Sequence, residues 1–258
     1  MPLIDTNLLV GPCPFRDIPS TPADLLLLKE RARLDRAIAM GFRSLLYYDP
    51  IVGLEQDLDQ YAALADWLYF YAVINPEFPL LEAQMRQAAE DERIAAIRIL
   101  PALHHYSLHS KNTLQTLHLA ARYDLPLNLM ARIFDGRVAP RCIRQAEIPP
   151  SDLAPFLERT EGVTVILSMF FFSELELFDI DWTKLPNIYL DLGSSKPNAA
   201  SLDRLASWFP IDRVLFGTGA PFYYWEGSRL GLEGSLLTEA QKRAILGANA
   251  LAVFQWNA

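Results

Sequence analysis

The sequence predicts an α/β fold, a (β/α)8 barrel that forms a single domain over residues 1–258. Three observations favour this prediction. Strand-like and helix-like segments alternate from end to end, which is typical of βα units and a parallel sheet. The length of 258 residues suits such a barrel, which takes about 250. The composition, 51% hydrophobic and 21% charged, supplies a large core.

Eight short apolar runs predict the strands. The third run is closed by Asn75-Pro76 and the eighth by Thr218-Gly-Ala-Pro221, and both are strong turn signals. No internal repeat, low-complexity segment or shift in composition marks a second domain. The predicted strands are residues 3–9, 43–48, 68–74, 94–100, 125–130, 163–169, 188–192 and 214–217.

Helical patterns fill most of the intervals. The first predicted helix begins at Thr21, a capping residue, with Asp24 beside the positive end of the helix. Its apolar residues recur at helical spacing as far as Ile38, and Gly41 is expected to end it. The other predicted helices are residues 54–67, 80–90, 112–123, 153–159 and 238–254.

One long connection stands apart from this alternation. Residues 132–150 show no helical or strand pattern and contain a glycine and several prolines. Loops of this length inside compact domains are usually lids or binding loops. We therefore expect these residues to lie near a functional site.

Composition excludes several classes of protein. A net charge of −8 and a pI near 5.0 argue against a nucleic-acid partner, because phosphate binding needs a basic surface. No apolar run reaches the 18 to 20 or so residues of a membrane span, and no signal peptide pattern is present. Cys13 and Cys142 lack metal-binding spacing and are expected to be unpaired thiols. These features predict a cytoplasmic protein.

The end of the chain carries a family resemblance. Residues Arg213-Val-Leu-Phe-Gly-Thr-Gly-Ala-Pro221 are followed by a helix that begins with a capping-box pair, Thr238 and Gln241, and contains Gly247-Ala-Asn-Ala250. This ending resembles that of amidohydrolase family 2, where the last barrel strand reads roughly R-x-L-F-G-S-D-x-P and the closing helix contains G-x-N-A. The resemblance implies an amidohydrolase-like TIM barrel with functional residues at the carboxyl ends of its strands.

The resemblance also implies metal-ligand positions, and this sequence lacks the usual ligand at each of them. Asn7 and Leu9 stand where the family's first strand has two histidines. Met130 and Met169 replace the histidines of strands five and six, and Gly219 replaces the aspartate after strand eight. Leucine and glycine side chains offer no donor, and a thioether suits copper(I) better than zinc. We therefore expect no metal and no cofactor at this position.

Three arginines are candidates for replacing the positive charge of a metal. Arg16, Arg98 and Arg132 fall at or just after strands one, four and five, where the planar guanidinium suits a carboxylate or phosphate ligand. We expect Arg98 and Arg132 to converge on a small anion, with Arg16 nearby. The alternative is a structural ion pair, for example with Asp5 or Asp135.

Other polar residues at strand ends complete the candidate site. His105 and Asp191 are the candidate acid and base, since an imidazole or a buried carboxylate can transfer protons near neutral pH. Asn7 is the best-placed polar group on strand one, and Thr218 follows strand eight in a turn that suits a phosphate. We expect Asn7, Arg132, Asp191 and Thr218 to lie at one end of the barrel, with Met169.

Three functions follow. The first is an amidohydrolase-like barrel that has lost its metal site, binds a small anionic molecule at the carboxyl end of the strands, and is non-catalytic or metal-independent. The second is a working metal-dependent hydrolase or carbon–carbon lyase with ligands from histidines 104–109 and from Asp49 or Asp191. The third is a structural or regulatory barrel that self-associates through its aromatic runs at 170–172 and 222–225.

Overall fold

The strands of the protein form one parallel sheet in which each strand pairs with the next along the chain. The computed structural model describes residues 1–137, 139–178, 180–193 and 199–256. Eight strands follow in the order β1 to β8. The last approaches the first, since the amide of Thr6 donates to Phe216 O (2.8 Å) and that of Gly219 donates to Asn7 O (2.7 Å). The sheet is therefore a nearly closed barrel, and the predicted (β/α)8 fold is confirmed.

The strands are buried on both faces, as parallel barrels require, because helices cover the outside and side chains fill the inside. Every residue of β1, β5 and β6 is buried. The strands are β1 Ile4–Val10, β2 Arg36–Gly41, β3 Leu68–Val73, β4 Ile94–Ile99, β5 Leu127–Met130, β6 Val165–Ser168, β7 Ile188–Asp191 and β8 Val214–Leu215.

Helices surround this sheet, and short helices also form within the loops that follow the strands. Within the described residues, none combines the length and the apolar composition needed to cross a bilayer. The α-helices are α1 Pro22–Ala32, α2 Phe42–Leu46, α3 Pro50–Gln60, α4 Leu81–Glu90, α5 Pro101–His104, α6 Lys111–Arg122, α7 Pro150–Leu157, α8 Phe172–Leu177, α9 Ala199–Leu205, α10 Trp225–Glu233, α11 Glu239–Arg243 and α12 Asn249–Val253, with one π-helical turn at Ala244–Ala248.

The second strand lies elsewhere than predicted. Residues 43–48, expected to be a strand, include most of helix α2, and the real β2 is Arg36–Gly41, which was assigned to the end of the first helix. Helix α1 ends at Ala32, and the next residue, Arg33, caps it in a left-handed conformation (φ 57°). Alanine and methionine favour helices, but Ala37–Met40 are fully buried between neighbouring strands. Burial in the barrel therefore overrides local propensity here.

Two capping boxes predicted or implied by residue spacing are present. Thr21 Oγ1 accepts a hydrogen bond from the amide of Asp24 (3.2 Å), while Asp24 Oδ2 accepts one from the amide of Thr21 (3.0 Å). Thr238 and Gln241 exchange the same pair of bonds, at 3.3 and 2.9 Å. These bonds satisfy amides that the first helical turn leaves without partners, which sets where α1 and α11 begin.

The G-x-N-A sequence of the closing helix has a structural role. Asn249 Nδ2 donates to the carbonyl oxygens of Ile211 (3.1 Å) and Val214 (2.8 Å), at the entry to β8. A Cβ atom at Gly247 would lie 2.0 Å from the carbonyl oxygen of Pro2, so only glycine allows the helix to approach the segment before β1. This helix therefore joins the first and last strands of the barrel.

Candidate functional site

A chain of hydrogen bonds crosses the barrel interior near the carboxyl ends of the strands. Asn7 Nδ2 donates to Ser168 Oγ (3.1 Å), and Ser168 Oγ donates to Asp191 Oδ2 (2.5 Å). Asp191 Oδ1 accepts from the amide of Gly193 (2.8 Å). A β-carbon at Gly193 would lie 2.4 Å from Asn7 Nδ2, so this glycine permits the close approach. The chain links strands β1, β6 and β7.

Arg98 extends this network from β4, and we call the whole set of hydrogen-bonded side chains inside the barrel the interior network. Its side chain is fully buried, and it donates through Nε to Asn128 Oδ1 (2.9 Å) and through Nη2 to Asn7 Oδ1 (3.1 Å). Its guanidinium carbon lies 3.8 Å from the centroid of the Tyr71 ring. Burial lowers the pKa of Arg98, and Tyr71 and Asp191 oppose that shift. Arg98 is thus a cation inside the barrel, with amides and an aromatic face as its direct partners.

Two buried carboxyl groups accompany this cation. Asp5 accepts hydrogen bonds from the Thr218 hydroxyl (2.6 Å) and from the amides of Thr218 (3.2 Å) and Asn7 (3.0 Å). Burial raises the pKa of Asp5 to about 6. Burial also raises the pKa of Asp191. The register between β1 and β2 shifts between Asp5 and Leu8, and such irregularities redirect side chains near sites.

An apolar cluster covers this network at the mouth of the barrel. Its members follow or end most of the strands, and all are buried. We call this cluster the apolar plug. It consists of Leu9, Met40, Phe42, Leu45, Val73, Leu100, Met130, Ile133, Phe134, Met169 and Phe222.

The metal-ligand positions implied by the family resemblance lie in or beside this plug. Leu9, Met130 and Met169 belong to it, and both ends of the Asn7 amide already make hydrogen bonds. Gly219 has a φ of 71°, and a β-carbon there would lie 2.7 Å from the Tyr223 ring. The described residues contain no group of three or more His, Cys, Asp or Glu side chains that could hold a metal ion. The side chains at these positions do not fit a divalent metal.

Arg98 and Arg132, predicted to converge on one small anion, bind different partners in the structure. Arg132 forms a two-point ion pair with Glu174, with Nη1–Oε2 and Nη2–Oε1 distances of 2.7 and 2.8 Å. It also donates to Met169 O (3.2 Å) and stacks on the ring of Phe171 (4.3 Å). Arg98 shares none of these partners. Charge pairing with a residue far along the chain therefore removes Arg132 from any anion pocket around Arg98.

We expect replacement of Arg132 with alanine to lower the free energy of unfolding by about 1–3 kcal/mol, because it leaves a partly buried Glu174 without its cation. Chemical denaturation measures the loss. The matched control is Arg137→Ala in the same loop, whose side chain is 77% exposed against 14% for Arg132, so its loss should be much smaller. Equal losses in the two variants would contradict a structural role specific to Arg132.

The other predicted site residues fall into separate places. Thr218 is buried against Asp5, within the interior network. His105 is exposed in the loop after β4, whereas Asp191 is 1% exposed inside the barrel, so the structure does not bring this predicted acid–base pair together. Asp49 caps helix α3 by accepting from the amide of Ile51 (3.0 Å).

Arg16 lies in an open cleft beside the plug. The cleft has a volume of about 510 Å³ and lies between α1 and the loop that leads into α10. The Arg16 guanidinium stacks on the ring of Phe222 at 4.0 Å and has no ion-pair partner among the described residues. Tyr223 and Trp225 also line the cleft, and Arg31 lies at its α1 side. We call this cavity the Arg16 cleft.

Several residues of the interior network were missed from the sequence. Asn128 and Ser168 are each the one polar residue of an otherwise apolar strand, and that pattern could have identified them as members of a buried polar site. Tyr71 reads as an ordinary strand aromatic, and Glu174 as a surface acid, so no local pattern singled them out.

The fold, with its buried hydrogen-bond network near the carboxyl ends of the strands, is a parallel (β/α)8 barrel, a class in which functional sites lie at that end. The family model described as Amidohydrolase, that of the second amidohydrolase family, matches residues 55–256. The chain belongs to this family. A comparison with curated proteins gives no match.

Solved structures with the same fold include several decarboxylases. The 5-carboxyvanillate decarboxylase from Sphingomonas paucimobilis superposes with a TM-score of 0.73 at 12% identity, covering 98% of this chain and 99% of that chain. The 2,6-dihydroxybenzoate decarboxylase from Rhizobium gives 0.72 at 14%, covering 100% and 99%. A dihydroxybenzoic acid decarboxylase from a Polaromonas species, with bound manganese and 2-nitroresorcinol, gives 0.71 at 14%, covering 100% and 98%. At these identities the likeness shows the fold.

Proposed function

We propose that this protein is a metal-independent member of the amidohydrolase family that binds a small aromatic anion in the Arg16 cleft. The observation that carries the proposal is the apolar plug, which fills the centre of the barrel mouth while an open cleft lies beside it. A family member with this plug needs a different place for its ligand. The proposed ligand site is therefore at the rim of the barrel, and the interior network is structural.

The chemistry of the cleft supports an aromatic anion. Arg16 presents a planar fork that suits a carboxylate, and it is exposed and has no ion-pair partner in the described residues, although Asp17, Asp24 and Glu226 also line the cleft. The rings of Tyr223 and Trp225, which are partly exposed, offer faces and edges against which another ring can pack. The decarboxylases of similar fold are named for carboxylated phenols, which carry this pair of features.

Calorimetry with 2,6-dihydroxybenzoate as the probe tests the proposal. We expect the untreated protein and protein incubated with a chelator to bind the probe equally. Arg16→Ala should weaken binding about tenfold or more, since a charge-assisted bond contributes about 1.5–3 kcal/mol. The control is Arg159→Ala, which removes an exposed arginine between α7 and β6, at the opposite end of the barrel.

Two results would overturn the proposal. Stoichiometric metal in protein purified without chelators, together with loss of binding on chelation, would favour a metal-dependent hydrolase or decarboxylase. Unchanged binding in Arg16→Ala, or no binding by the natural protein at millimolar probe, would remove the Arg16 cleft as the site.

A further inference from the structure

A second cavity lies on the other side of the apolar plug. It has a volume of about 450 Å³ and lies among the loops that follow β2, β3, β4 and β5. The residues that matter to its chemistry are Tyr47, Tyr48, Asn75, His104, His105 and Arg144. We call it the histidine cavity. It shares no lining residue with the Arg16 cleft.

The charge of this cavity is unlike that of the protein. The chain has 31 acidic residues against 23 Lys and Arg, yet no Asp or Glu of the described ranges lines the histidine cavity. Arg144 is exposed and has no ion-pair partner among the described residues. The nearest acid along the β3 loop, Glu77, is engaged with Ser110 and Asn112, each at 2.7 Å. The described lining of the cavity therefore carries the positive charge of Arg144 and no carboxylate to neutralise it.

Hydrogen-bond donors reach this cavity from three different loops. Asn75 Oδ1 accepts from the amide of Glu77 (3.1 Å), which leaves its NH2 group to donate. Arg144 and His105 supply further donors from the loops after β5 and β4. Three donors from separate directions suit a tetrahedral group with several oxygens better than a planar carboxylate, which one guanidinium fork can satisfy.

The backbone of His105 adopts a conformation that is unusual for a residue with a side chain. His105 has a φ of 56°, a left-handed conformation that non-glycine residues seldom adopt. It ends helix α5, a position where glycine is usual. His104 precedes it, and its ring packs into the cavity wall with Nε2 3.2 Å from Leu45 O. Glycine would adopt this backbone conformation at lower energetic cost. The histidine at position 105 instead places an imidazole at the cavity.

We propose that the histidine cavity binds the phosphate group of a small phosphorylated molecule. Asn75, His105 and Arg144 donate to the phosphate oxygens. Tyr47 and Tyr48 lie at the same cavity, and Tyr48 is 86% exposed, so an organic group attached to the phosphate can pack on an uncovered ring. This site is separate from the one in the proposed function and does not depend on it.

Calorimetry with inorganic phosphate and with phenyl phosphate tests this inference. His105→Gly removes the imidazole and also relieves the left-handed backbone, so the variant should fold at least as well as the natural protein. We expect His105→Gly and Arg144→Ala each to weaken phosphate binding about tenfold. The matched control is Arg141→Ala, an exposed arginine of the same loop that does not line the cavity, and it should change affinity less than about twofold.

The two probes distinguish the source of the phosphate. Tighter binding of phenyl phosphate, lost in Tyr48→Ala, assigns the site to a phosphate monoester, and equal binding of both probes assigns it to inorganic phosphate. The inference is overturned if neither probe binds, or if His105→Gly and Arg144→Ala bind like the control. It is also overturned if Arg16→Ala alone abolishes phosphate binding, since the anion then lies in the Arg16 cleft.

Discussion

Replacing Arg98 with methionine is expected to lower the free energy of unfolding by about 3–5 kcal/mol. The side chain is fully buried and donates to Asn7 Oδ1 and Asn128 Oδ1, so its loss removes a hydrogen-bond donor from two buried amide oxygens. It also leaves the buried carboxyl of Asp191 without the positive charge that stabilises its ionised form. Denaturant titration followed by circular dichroism measures the change.

Two comparisons isolate the buried charge. Asp191→Asn combined with Arg98→Met should recover part of the loss, because the double variant no longer buries an unopposed carboxylate. Arg93→Met, just before the same strand, removes an arginine whose pair with Asp91 is only partly buried, and it should cause a much smaller loss than removal of the fully buried Arg98. An Arg98→Met loss no larger than that of Arg93→Met would show that the interior cation does not stabilise the barrel.

Replacing Gly219 with alanine is expected to destabilise the protein by about 3 kcal/mol, by two separable effects. The residue has a φ of 71°, which disfavours any β-carbon, and that β-carbon would lie 2.7 Å from the Tyr223 ring. Gly162 is a matched control because its φ is 81° and nothing lies within 4 Å of a β-carbon there. Gly162→Ala should therefore lose only the backbone part, about 1 kcal/mol.

A second substitution can remove the steric contribution to the loss of stability in Gly219→Ala. In a Tyr223→Ala background, Gly219→Ala should lose about as much stability as Gly162→Ala, as measured by thermal or chemical denaturation. Equal losses for the two glycines in the natural background would mean that Tyr223 moves aside freely. The Tyr223 ring would then be no obstacle to an aspartate at position 219.

The pattern of the sequence predicted those features that depend on neighbouring residues. Alternating apolar runs gave the barrel, and the spacing of Thr238 and Gln241 gave the capping box. Strand β2 was misplaced because its alanines and methionine favour a helix until the adjacent strands bury them. Seven of the eight strands were thus placed correctly by burial patterns that local propensity did not oppose.

The candidate site was harder to predict because it depends on contacts across the chain. Arg132 and Glu174 are separated by 42 positions, and no local pattern links them. Leu9, Met130 and Met169 were recognisable as poor metal ligands, but nothing in their order showed that they pack together into one plug. Such packing is a property of the closed barrel and has no period along the sequence.

The apolar plug has one further consequence, which concerns water. Both cavities at the rim are open, so an anion held in either keeps part of its hydration shell and remains within reach of dissolved salt. The attraction of Arg16 or Arg144 for that anion is then weakened by a high effective dielectric constant and by ionic screening. These conditions suit rapid exchange of a recognised ion. Stabilising the developing charge of a transition state needs a drier and more preorganised environment than an open cavity at the rim provides.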